Sequence, residues 1–277
     1  MPPAAAPRLS ILIVNFNTGA WLRDCVSSLF TVLPSGTFEV LVLDNASSDD
    51  SIARAKDSGL PIAWTLRTDN VGFAAGNNRL AEQASGRYIC LLNPDTVLRS
   101  DSLTPLVEYL EAHPDVGIAG PHHSTMDGGW QLSFGAEVTL RSEFLYALNP
   151  KAFWARYPAV TPEEPVDVAW LSGSCFVMPG ALAKTLGPFD PRFFLNDEDI
   201  DLGRRIRAMG RRVVYVPVRG LVHHGGISRP FLDQEVGHTR RSRSEFFRKH
   251  YSLPARMLVR IAFGLRRTRD WLSRVKR

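Results

Sequence analysis

Short aliphatic and β-branched runs alternate with helix-compatible stretches through the first 112 of the 277 residues. The runs predict strands at 9–14, 40–43, 62–66 and 88–92, and the stretches beside them predict helices at 21–33, 51–56, 73–84 and 102–112. Strands that alternate with helices in this way are typical of a largely parallel sheet with helices on both faces. The predicted fold class is therefore α/β, with a Rossmann-like sheet.

Polar clusters follow the four predicted strands. They are Asn15 and Asn17 after the first strand, 44–47 after the second, 70–73 after the third and 93–95 after the fourth. Each cluster alone is also typical of an ordinary turn, because Asn, Asp, Ser and Gly dominate turns. Sheets of this kind bind ligands beyond the carboxyl ends of their strands, so four clusters at one edge indicate a binding rim.

Residues 195–202, LNDEDIDL, place four carboxylates within five positions at the predicted start of a helix. Carboxylates near a helix N-terminus are favoured by the helix dipole, but four exceed what a cap requires. Asp201 has arginines at i+3 and i+4 for an ordinary ion pair. Asp199 instead has Gly203 at i+4, and a glycine inside a helix costs about 1 kcal/mol relative to alanine. We interpret this glycine as leaving room for a ligand at Asp199, and with Asp95 the segment indicates metal-assisted group transfer.

The second half of the chain has a less regular pattern. Residues 122–165 are rich in aromatics and prolines and are interpreted as an irregular insertion over one side of the sheet. Residues 166–178 predict one strand interrupted at Gly173, where a glycine marks a bulge or a close approach by a ligand. Two more strands are predicted at 212–216 and 220–223.

Composition predicts one ordinary globular domain with a tail, since 44% of the residues are hydrophobic and 22% are charged. The three cysteines, Cys25, Cys90 and Cys175, stand in apolar settings without a CxxC spacing, so we expect reduced core residues and neither disulfides nor a zinc site. The first residues lack the pattern of a signal peptide, and no apolar run reaches the ~20 residues that span a bilayer. A cytoplasmic catalytic body is expected.

The basic charge is concentrated at the C-terminus. Residues 240–277 hold 13 Lys and Arg against two acidic residues, a net charge of +11, which leaves −6 for the rest of a chain whose total is +5. This pattern resembles an amphipathic helix that lies on an anionic membrane surface, or a packed helix with a solvated basic face. Nucleic-acid binding is not expected, because no reading motif or stacking pattern accompanies the charge. The apolar residues that recur at helical intervals are Leu253, Met257, Leu258, Ile261, Leu265, Leu272 and Val275, with Trp271 nearby.

Five motifs appear in the order found in one known family. They are SILIVNFN at 10–17, VLDNASSD at 42–49, NVGFAAGN at 70–77, NPD at 93–95 and NDEDIDL at 196–202. Over residues 8–230 the chain resembles the family 2 inverting glycosyltransferases with a GT-A fold, and is most similar to the bacterial rhamnosyltransferase-like branch. In that branch Asn-Pro-Asp stands where many relatives have Asp-x-Asp, and Trp-Leu-x-Gly precedes the acidic helix.

The resemblance implies a division of the chain. Residues 1–230 would form the GT-A domain, with a nucleotide-binding half at 1–120 and an acceptor-side half at 121–230, and 231–277 would form a basic helical extension. The implied donor, a nucleoside-diphosphate sugar, would contact Asn15, Asn17, Asp44, Asn45, Asn70, Gly72, Asn77, Asn93 and Asp95, with Asp44 at the pyrimidine base.

A divalent ion and a catalytic base are implied as well. Asp95 would hold Mg²⁺ or Mn²⁺ against the diphosphate, with His223 as a second contact in a His-x-Gly-Gly-x-Ser pattern that Ser228 completes, and with His224 as the alternative. Departure from Asp-x-Asp at Asn93 bears on the strength of metal binding and on the metal's identity.

The acidic helix would supply the chemistry. Asp199 matches the family's catalytic base and Glu198 would orient the acceptor or the donor, while Trp170, Gly173 and Asp197 would form part of the acceptor wall. A purely structural role is the alternative for Trp170.

The implied reaction moves L-rhamnose from dTDP-L-rhamnose onto a saccharide or lipid-linked saccharide in cell-surface polysaccharide synthesis. A UDP-sugar donor is the first alternative. A nucleotidyltransferase is disfavoured because no Gly-rich loop with a following basic residue succeeds the first strand, and a silent sugar-binding protein is disfavoured because Asp95 and Asp199 are both present.

Overall fold

The computed structural model of the protein describes residues 6–157, 160–225 and 232–275, with the backbone alone at 232–236 and 270–275. Its strands are β1 (Leu9–Asn15), β2 (Phe38–Asp44), β3 (Ile62–Leu66), β4 (Tyr88–Leu92), β5 (Thr96–Leu98), β6 (Val116–Gly120), β7 (His123–Ser124), β8 (Trp130–Gln131), β9 (Phe134–Gly135), β10 (Val166–Asp167), β11 (Trp170–Leu171), β12 (Cys175–Pro179), β13 (Arg212–Tyr215) and β14 (Leu221–His223).

Helices fill most of the connections between these strands. They are α1 (Trp21–Val32), α2 (Ser51–Lys56), α3 (Phe73–Gln83), α4 (Thr104–Ala112), α5 (Leu140–Leu148), α6 (Pro150–Trp154), α7 (Gly180–Leu186), α8 (Glu198–Ala208), α9 (Leu232–His250) and α10 (Leu253–Val275). The eight elements predicted in the first 112 residues are all present, each within two residues of its predicted ends.

An eight-stranded sheet in the order β10-β13-β6-β12-β4-β1-β2-β3 forms the centre of the fold. Its strands β3, β2, β1 and β4 are parallel, as are β6 and β13, and β12 is antiparallel to both of its neighbours. Side chains along one strand alternate between two cores, since Ile11 and Ile13 pack with α1 while Leu12 and Val14 pack with α3. Burial on both faces is what a helix-covered sheet requires, and the predicted α/β class is confirmed.

Two smaller sheets position the ends of the large one. In the order β5-β14-β7-β8, β14 pairs with β5 so that His223 lies opposite Thr96, directly after Asp95. The other small sheet pairs β11 with β9 and sets Trp170 opposite Gly135. The cysteines Cys25, Cys90 and Cys175 are buried and unbridged in the central core, as predicted.

Three expectations about the second half are wrong. Residues 122–165 contain short strands and the helices α5 and α6, and do not form an irregular insertion. Residues 166–178 form three separate strands rather than one, because β10, β11 and β12 belong to different sheet positions. Gly203 leaves no room for a ligand, since a Cβ there would lie 2.4 Å from the Ala169 carbonyl oxygen. That glycine lets α8 approach β11.

The C-terminal helices pack on the body instead of forming a free tail. Phe246 and Phe247 of α9 and Val259 of α10 are buried in one cluster with Ile200 of α8. Arg269 of α10 donates to two carbonyl oxygens at the end of α5, at 2.6 and 3.0 Å. The opposite side of α10 exposes a row of apolar residues: Leu253, Met257, Leu258, Ile261 and Leu265. Within the described residues, none of the helices is long and apolar enough to cross a bilayer.

Candidate active site

The first part of the rim is a buried hydrogen-bond network around Asp44. Asn15, at the end of β1, donates to the Asp44 carboxylate at 2.8 Å and to the hydroxyls of Ser47 and Ser51. The Asp44 carboxylate also accepts from the backbone N–H of Ser47 at 3.0 Å and from its hydroxyl at 2.6 Å. Asn15 thereby fixes the orientation of Asp44 at the carboxyl ends of the central strands.

A short loop after β2 is held against the end of β1. Asn17 adopts a left-handed conformation with φ 51°, which Asn tolerates better than most residues. Its side-chain oxygen accepts from the backbone N–H of Ser48 at 2.8 Å, and its own N–H donates to the Ser47 hydroxyl at 2.9 Å. These bonds therefore hold the loop that follows Asp44 in one place.

The third cluster forms the entry to α3. Asn45 donates to the Gly72 carbonyl oxygen at 3.2 Å, and Asn70 accepts from the Gly72 N–H at 2.9 Å. Gly72 has φ 86°, and a Cβ there would lie 2.6 Å from the Phe194 carbonyl oxygen, so only glycine fits. Asn77 donates to the Phe73 carbonyl oxygen inside α3 and is buried, so its amide is engaged in the helix.

A carboxylate, an imidazole and an amide meet below this rim. Asp95 Oδ1 and His223 Nε2 lie 3.3 Å apart, while His223 Nδ1 lies 3.0 Å from Gln131 Oε1. A neutral His223 that donates from Nδ1 to Gln131 turns its Nε2 lone pair toward the carboxylate, an arrangement that a bound cation or a proton stabilises. Within the described residues, the buried side-chain oxygen of Asn93 has no hydrogen-bond partner. His224 instead packs against Trp21, with ring centroids 3.5 Å apart and ring planes tilted by 45°.

These groups fit a divalent ion. Carboxylate and amide oxygens are ligands that suit Mg²⁺ and Mn²⁺, and substrate phosphates would supply further oxygen ligands. Across the described residues there is no group of three or more His, Cys, Asp and Glu side chains arranged to hold a metal. Ser228, the last residue of the predicted histidine pattern, lies outside the described residues. His123 was missed by sequence reasoning: it is fully buried, and its ring centroid is 5.8 Å from that of His223.

Asp199 lies at the start of α8, facing a large cavity. One of its oxygens accepts from the Gly173 N–H at 3.2 Å and the other from the Ile200 N–H at 2.8 Å. Burial, followed by the negative charge of Asp197, raises the pKa of Asp199 to about 6. Such a carboxylate is ionised at neutral pH and is a stronger base than a surface aspartate.

Glu198 occupies a different environment one residue earlier. It is buried, and its Oε2 atom has no hydrogen-bond partner within the described part of the chain. Burial and the charge of Asp199 raise the pKa of Glu198 well above its ordinary value. Burial beside Asp199 thus favours the protonated form of Glu198, which can donate a hydrogen bond.

The cavity in front of Asp199 has a volume of about 950 Å³ and lies between α5, α6, α8 and the C-terminal helices. Sequence reasoning placed only Trp170 and Asp197 on its wall and missed most of the rest, although it noted the aromatic content of 122–165. Its aromatic residues are Tyr146, Phe153, Trp154, Tyr157, Trp170 and Phe263, and its arginines are Arg156, Arg240, Arg243, Arg266 and Arg267.

The predicted acceptor-wall residues differ in how they are held. Trp170 donates to the Ala136 carbonyl oxygen at 3.0 Å and packs on Gly135, yet it also lines the cavity. Asp197 lines the cavity too, but both of its carboxylate oxygens accept from Arg243. Gly173 lies between β11 and β12, and its contribution is the N–H that reaches Asp199.

Known proteins resemble this chain in sequence and in fold. The family model Glycosyl transferase family 2 matches residues 10–157, and Glycosyl transferase family group 2 matches residues 88–246. An N-acetylglucosaminyl-diphospho-decaprenol L-rhamnosyltransferase of Mycobacterium tuberculosis is 30% identical over 236 residues, 78% of this chain and 76% of its own. The rhamnosyltransferase WbbL of Escherichia coli is 25% identical over 69% of each chain.

Solved structures agree on the fold. A crystal structure of GalNAc-T7 with UDP, GalNAc and Mn²⁺ matches with a TM-score of 0.61 at 18% identity, over 79% of this chain and 44% of that one. The mannosyltransferase PcManGT of Pyrobaculum calidifontis, in complex with GDP-Man and Mn²⁺, matches with a TM-score of 0.56 at 17% identity, over 98% of this chain and 84% of that one.

A mostly parallel sheet with helices on both faces, a polar rim and an acidic helix beside a cavity defines a glycosyltransferase with a GT-A fold. The family matches are more specific. The chain belongs to glycosyl transferase family 2.

Proposed function

We propose that the protein is an inverting glycosyltransferase that moves L-rhamnose from dTDP-L-rhamnose to a saccharide acceptor, with Asp199 as the base. The observation that carries the reaction type is the Asp199 carboxylate itself. It is held by two backbone N–H groups, has a pKa of about 6 and faces the cavity.

The reaction is a single displacement. An acceptor hydroxyl in the cavity gives its proton to Asp199 while its oxygen attacks the anomeric carbon of the donor. The bond from that carbon to the diphosphate oxygen breaks as the new glycosidic bond forms, so the configuration inverts and a nucleoside diphosphate leaves. A positioned base contributes roughly 10²- to 10⁴-fold to such a step.

The proposed donor site is the rim around Asp44, with Asp95 and His223 holding a divalent cation. When bound, a hard divalent ion neutralises negative charge on the leaving diphosphate. The residues contribute the rest: Asn15 orients Asp44, Asn45 fixes the loop at Gly72, and Glu198, buried beside Asp199, orients the acceptor or the donor.

Identity of the donor rests on the relatives, two of which carry rhamnosyltransferase in their names. The test is a thermal-shift and turnover panel of dTDP, UDP and GDP sugars, each with Mn²⁺, with Mg²⁺ and with EDTA. The proposal expects the largest shift and the only efficient turnover with dTDP-L-rhamnose and a divalent ion. Preference for a UDP-sugar would overturn the donor while leaving the glycosyltransferase class intact.

A lipid-linked acceptor at a membrane face is the proposed setting. The mycobacterial relative is named for an acceptor that carries a diphospho-decaprenol lipid, and another relative, the O-antigen biosynthesis protein RfbC of Myxococcus xanthus, is 30% identical over 82% of this chain but only 18% of its own. On this chain, α10 exposes an apolar row beside arginines, which suits a surface helix at the cytoplasmic face of an anionic membrane. The process in which we propose that the enzyme acts is cell-surface polysaccharide synthesis.

Removal of the whole of α10 is a poor test of this setting, because Val259 and Arg269 pack against the body. Replacing Met257 and Ile261 with glutamine changes only exposed positions, which are 53% and 54% accessible. We expect the double variant to lose sedimentation with anionic vesicles while its melting temperature and its turnover of a soluble acceptor stay at wild-type values. Wild-type protein that fails to sediment at low salt would refute the membrane assignment and favour a soluble acceptor.

A further inference from the structure

Three side chains on one face of α9 form hydrogen bonds to residues 195–197, which directly precede α8. Asn196 donates to the Thr239 hydroxyl at 2.8 Å, and the Ser242 hydroxyl donates to the Leu195 carbonyl oxygen at 2.8 Å. Arg243 donates to both carboxylate oxygens of Asp197, at 2.7 and 2.8 Å. Helix α9 lies more than 30 residues further along the chain, so these are tertiary bonds and not features of the acidic segment itself.

The backbone of this segment has an unfavourable conformation. Asn196 and Asp197 are successive non-glycine residues with φ of 67° and 64°. L-residues adopt the left-handed region as single residues far more readily than in runs, so the conformation needs support from its surroundings. Asp197 is also the N-cap residue of α8, directly before the turn that carries Asp199.

Arg243 also balances charge where α8 begins. It donates to Glu143 of α5 at 2.5 Å in addition to Asp197, and both of those carboxylates are buried. A guanidinium that bonds two carboxylates at once is fixed in orientation. Within the described part of the chain, Arg243 is the cation that forms an ion pair with Asp197.

We propose that Arg243 is a positioning residue of the active site, holding Asp197 and balancing its charge so that the Asp199 carboxylate is correctly placed to act as the base. The C-terminal extension then contributes to the active site through Arg243 of α9. This inference rests on the proposed function only in taking Asp199 as the base.

Other titratable groups lie near Asp199 or share its cavity. Glu198 and Asp197 directly precede it, Glu137 and Glu143 lie before and on α5, and Tyr146 and Tyr157 also line the cavity. The remaining cations of the cavity, Arg156, Arg240, Arg266 and Arg267, share its wall. Arg243 differs from these in that it bonds Asp197 directly.

The test compares Arg243→Gln, Arg243→Lys and Arg248→Gln by the pH dependence of kcat/KM and by nucleotide affinity. Arg243→Gln should move the acid limb of the profile upward by about one pH unit, a tenfold change in the proton equilibrium, and lower kcat at least tenfold with nucleotide affinity unchanged. Arg243→Lys should restore part of both effects. Arg248 is an exposed residue of the same helix, and its ion pair in the described structure is with Glu245, so Arg248→Gln should match the wild type.

Asp197→Asn supplies an independent arm. Removing that charge should move the acid limb downward, and Asp197→Asn combined with Arg243→Gln should return it to within about half a pH unit of the wild type. Should Arg243→Gln fail to fold, a profile of Asp197→Asn that coincides with the wild type overturns the proposal. An unmoved acid limb in Arg243→Gln, with lysine no better than glutamine, overturns it as well.

A readout without turnover separates this inference from the proposed function. The ¹³C carboxyl resonance of Asp199, assigned by its loss in Asp199→Asn, reports the proton equilibrium directly in the full chain. A pKa that rises in Arg243→Gln supports the inference even if the wild type transfers none of the donors in the panel. A pKa that stays at its wild-type value refutes the inference even if transfer is observed.

Discussion

The proposed donor rim and the proposed acceptor cavity are built in opposite ways. The rim consists of loops that directly follow neighbouring strands, and its side chains bond one another, as Asn15 does with Asp44. The cavity is assembled from helices far apart in sequence, and aromatic rings and arginines form a large part of its wall. A parallel sheet guarantees that successive strand ends meet, whereas nothing local brings α5, α6, α9 and α10 together. The comparison teaches that the donor side follows from the order of elements and the acceptor side from tertiary packing.

The same contrast appears on one helix between Asp199 and Asp201. Asp201 is fully buried and bonds Arg205 at 2.8 Å, and His250 and Lys249 of α9 at 2.7 Å each. Burial opposes ionisation there, but these bonds lower the pKa of Asp201 below its ordinary value. In the described structure Asp199, two residues earlier, accepts from the backbone N–H groups of Gly173 and Ile200 and has a raised pKa. One carboxylate is committed to the fold and the other is available for proton transfer.

The largest expected effect is on Asp199. Asp199→Asn keeps the shape and removes the base, so kcat should fall at least 10²-fold while nucleotide affinity persists. Steady-state kinetics and nucleotide titration measure the two, with Asp57→Asn, an exposed aspartate beside α2, as the matched control. Activity within a few-fold of wild type would mean that Asp199 is not the base, and Glu198 and Asp197 would be tested next.

The next largest expected effect is the loss of the proposed metal contact at Asp95. Asp95→Ala should weaken metal-dependent donor binding at least tenfold, because the carboxylate is the only acidic group beside His223 in the described structure. EDTA should produce the same loss in the wild type and no further loss in the variant, and Asp69→Ala serves as an exposed control. Undiminished wild-type transfer in EDTA would remove the ion from the mechanism.

The raised pKa of Asp199 predicts the pH dependence. Since the carboxylate must be ionised to accept a proton, kcat/KM should fall about tenfold for each pH unit below about 6 and level off above that value. A profile measured between pH 4.5 and 8 checks this. An acid limb near pH 4 would show that the base is an ordinary solvated carboxylate.

The same pKa makes a stability prediction of moderate size. The folded protein holds the Asp199 proton more tightly than the unfolded chain, since the pKa rises from 3.8 to about 6, so the wild type loses stability as pH rises from about 4 to about 6. Asp199→Asn avoids that loss and should be more stable by about 1 to 3 kcal/mol above pH 6. Urea unfolding should show this difference between Asp199→Asn and the wild type at pH 8 but not at pH 4. Equal stability of the two proteins at both pH values would contradict the assignment of Asp199 as a buried base.

The smallest expected effect separates the acceptor wall from the rim. Trp154 lines the cavity with 53% of its surface accessible, so Trp154→Ala should raise the acceptor KM by about 3- to 10-fold, the range of one aromatic contact. Nucleotide affinity should stay constant. An effect on the nucleotide and not on the acceptor would show that the cavity is part of the donor site.

The sequence by itself determined the α/β architecture, the donor-side strand ends and the acidic helix. Strand and helix periodicity is local, and the parallel order then forces Asn15, Asp44 and Asp95 to one edge of the sheet. Even the ion pair of Asp201 with Arg205 follows from helical spacing.

Only the tertiary structure decided how those residues are used. The space inferred at Gly203 is occupied by the backbone at Ala169 and Trp170. The C-terminal helices pack on the body, and Arg243 of α9 binds Asp197 at the start of α8. The difference in pKa between Asp199 and Asp201 depends on which groups from distant segments come within hydrogen-bond reach. Such contacts join residues separated by 40 to 100 positions along the chain, and no local pattern encodes which partners meet.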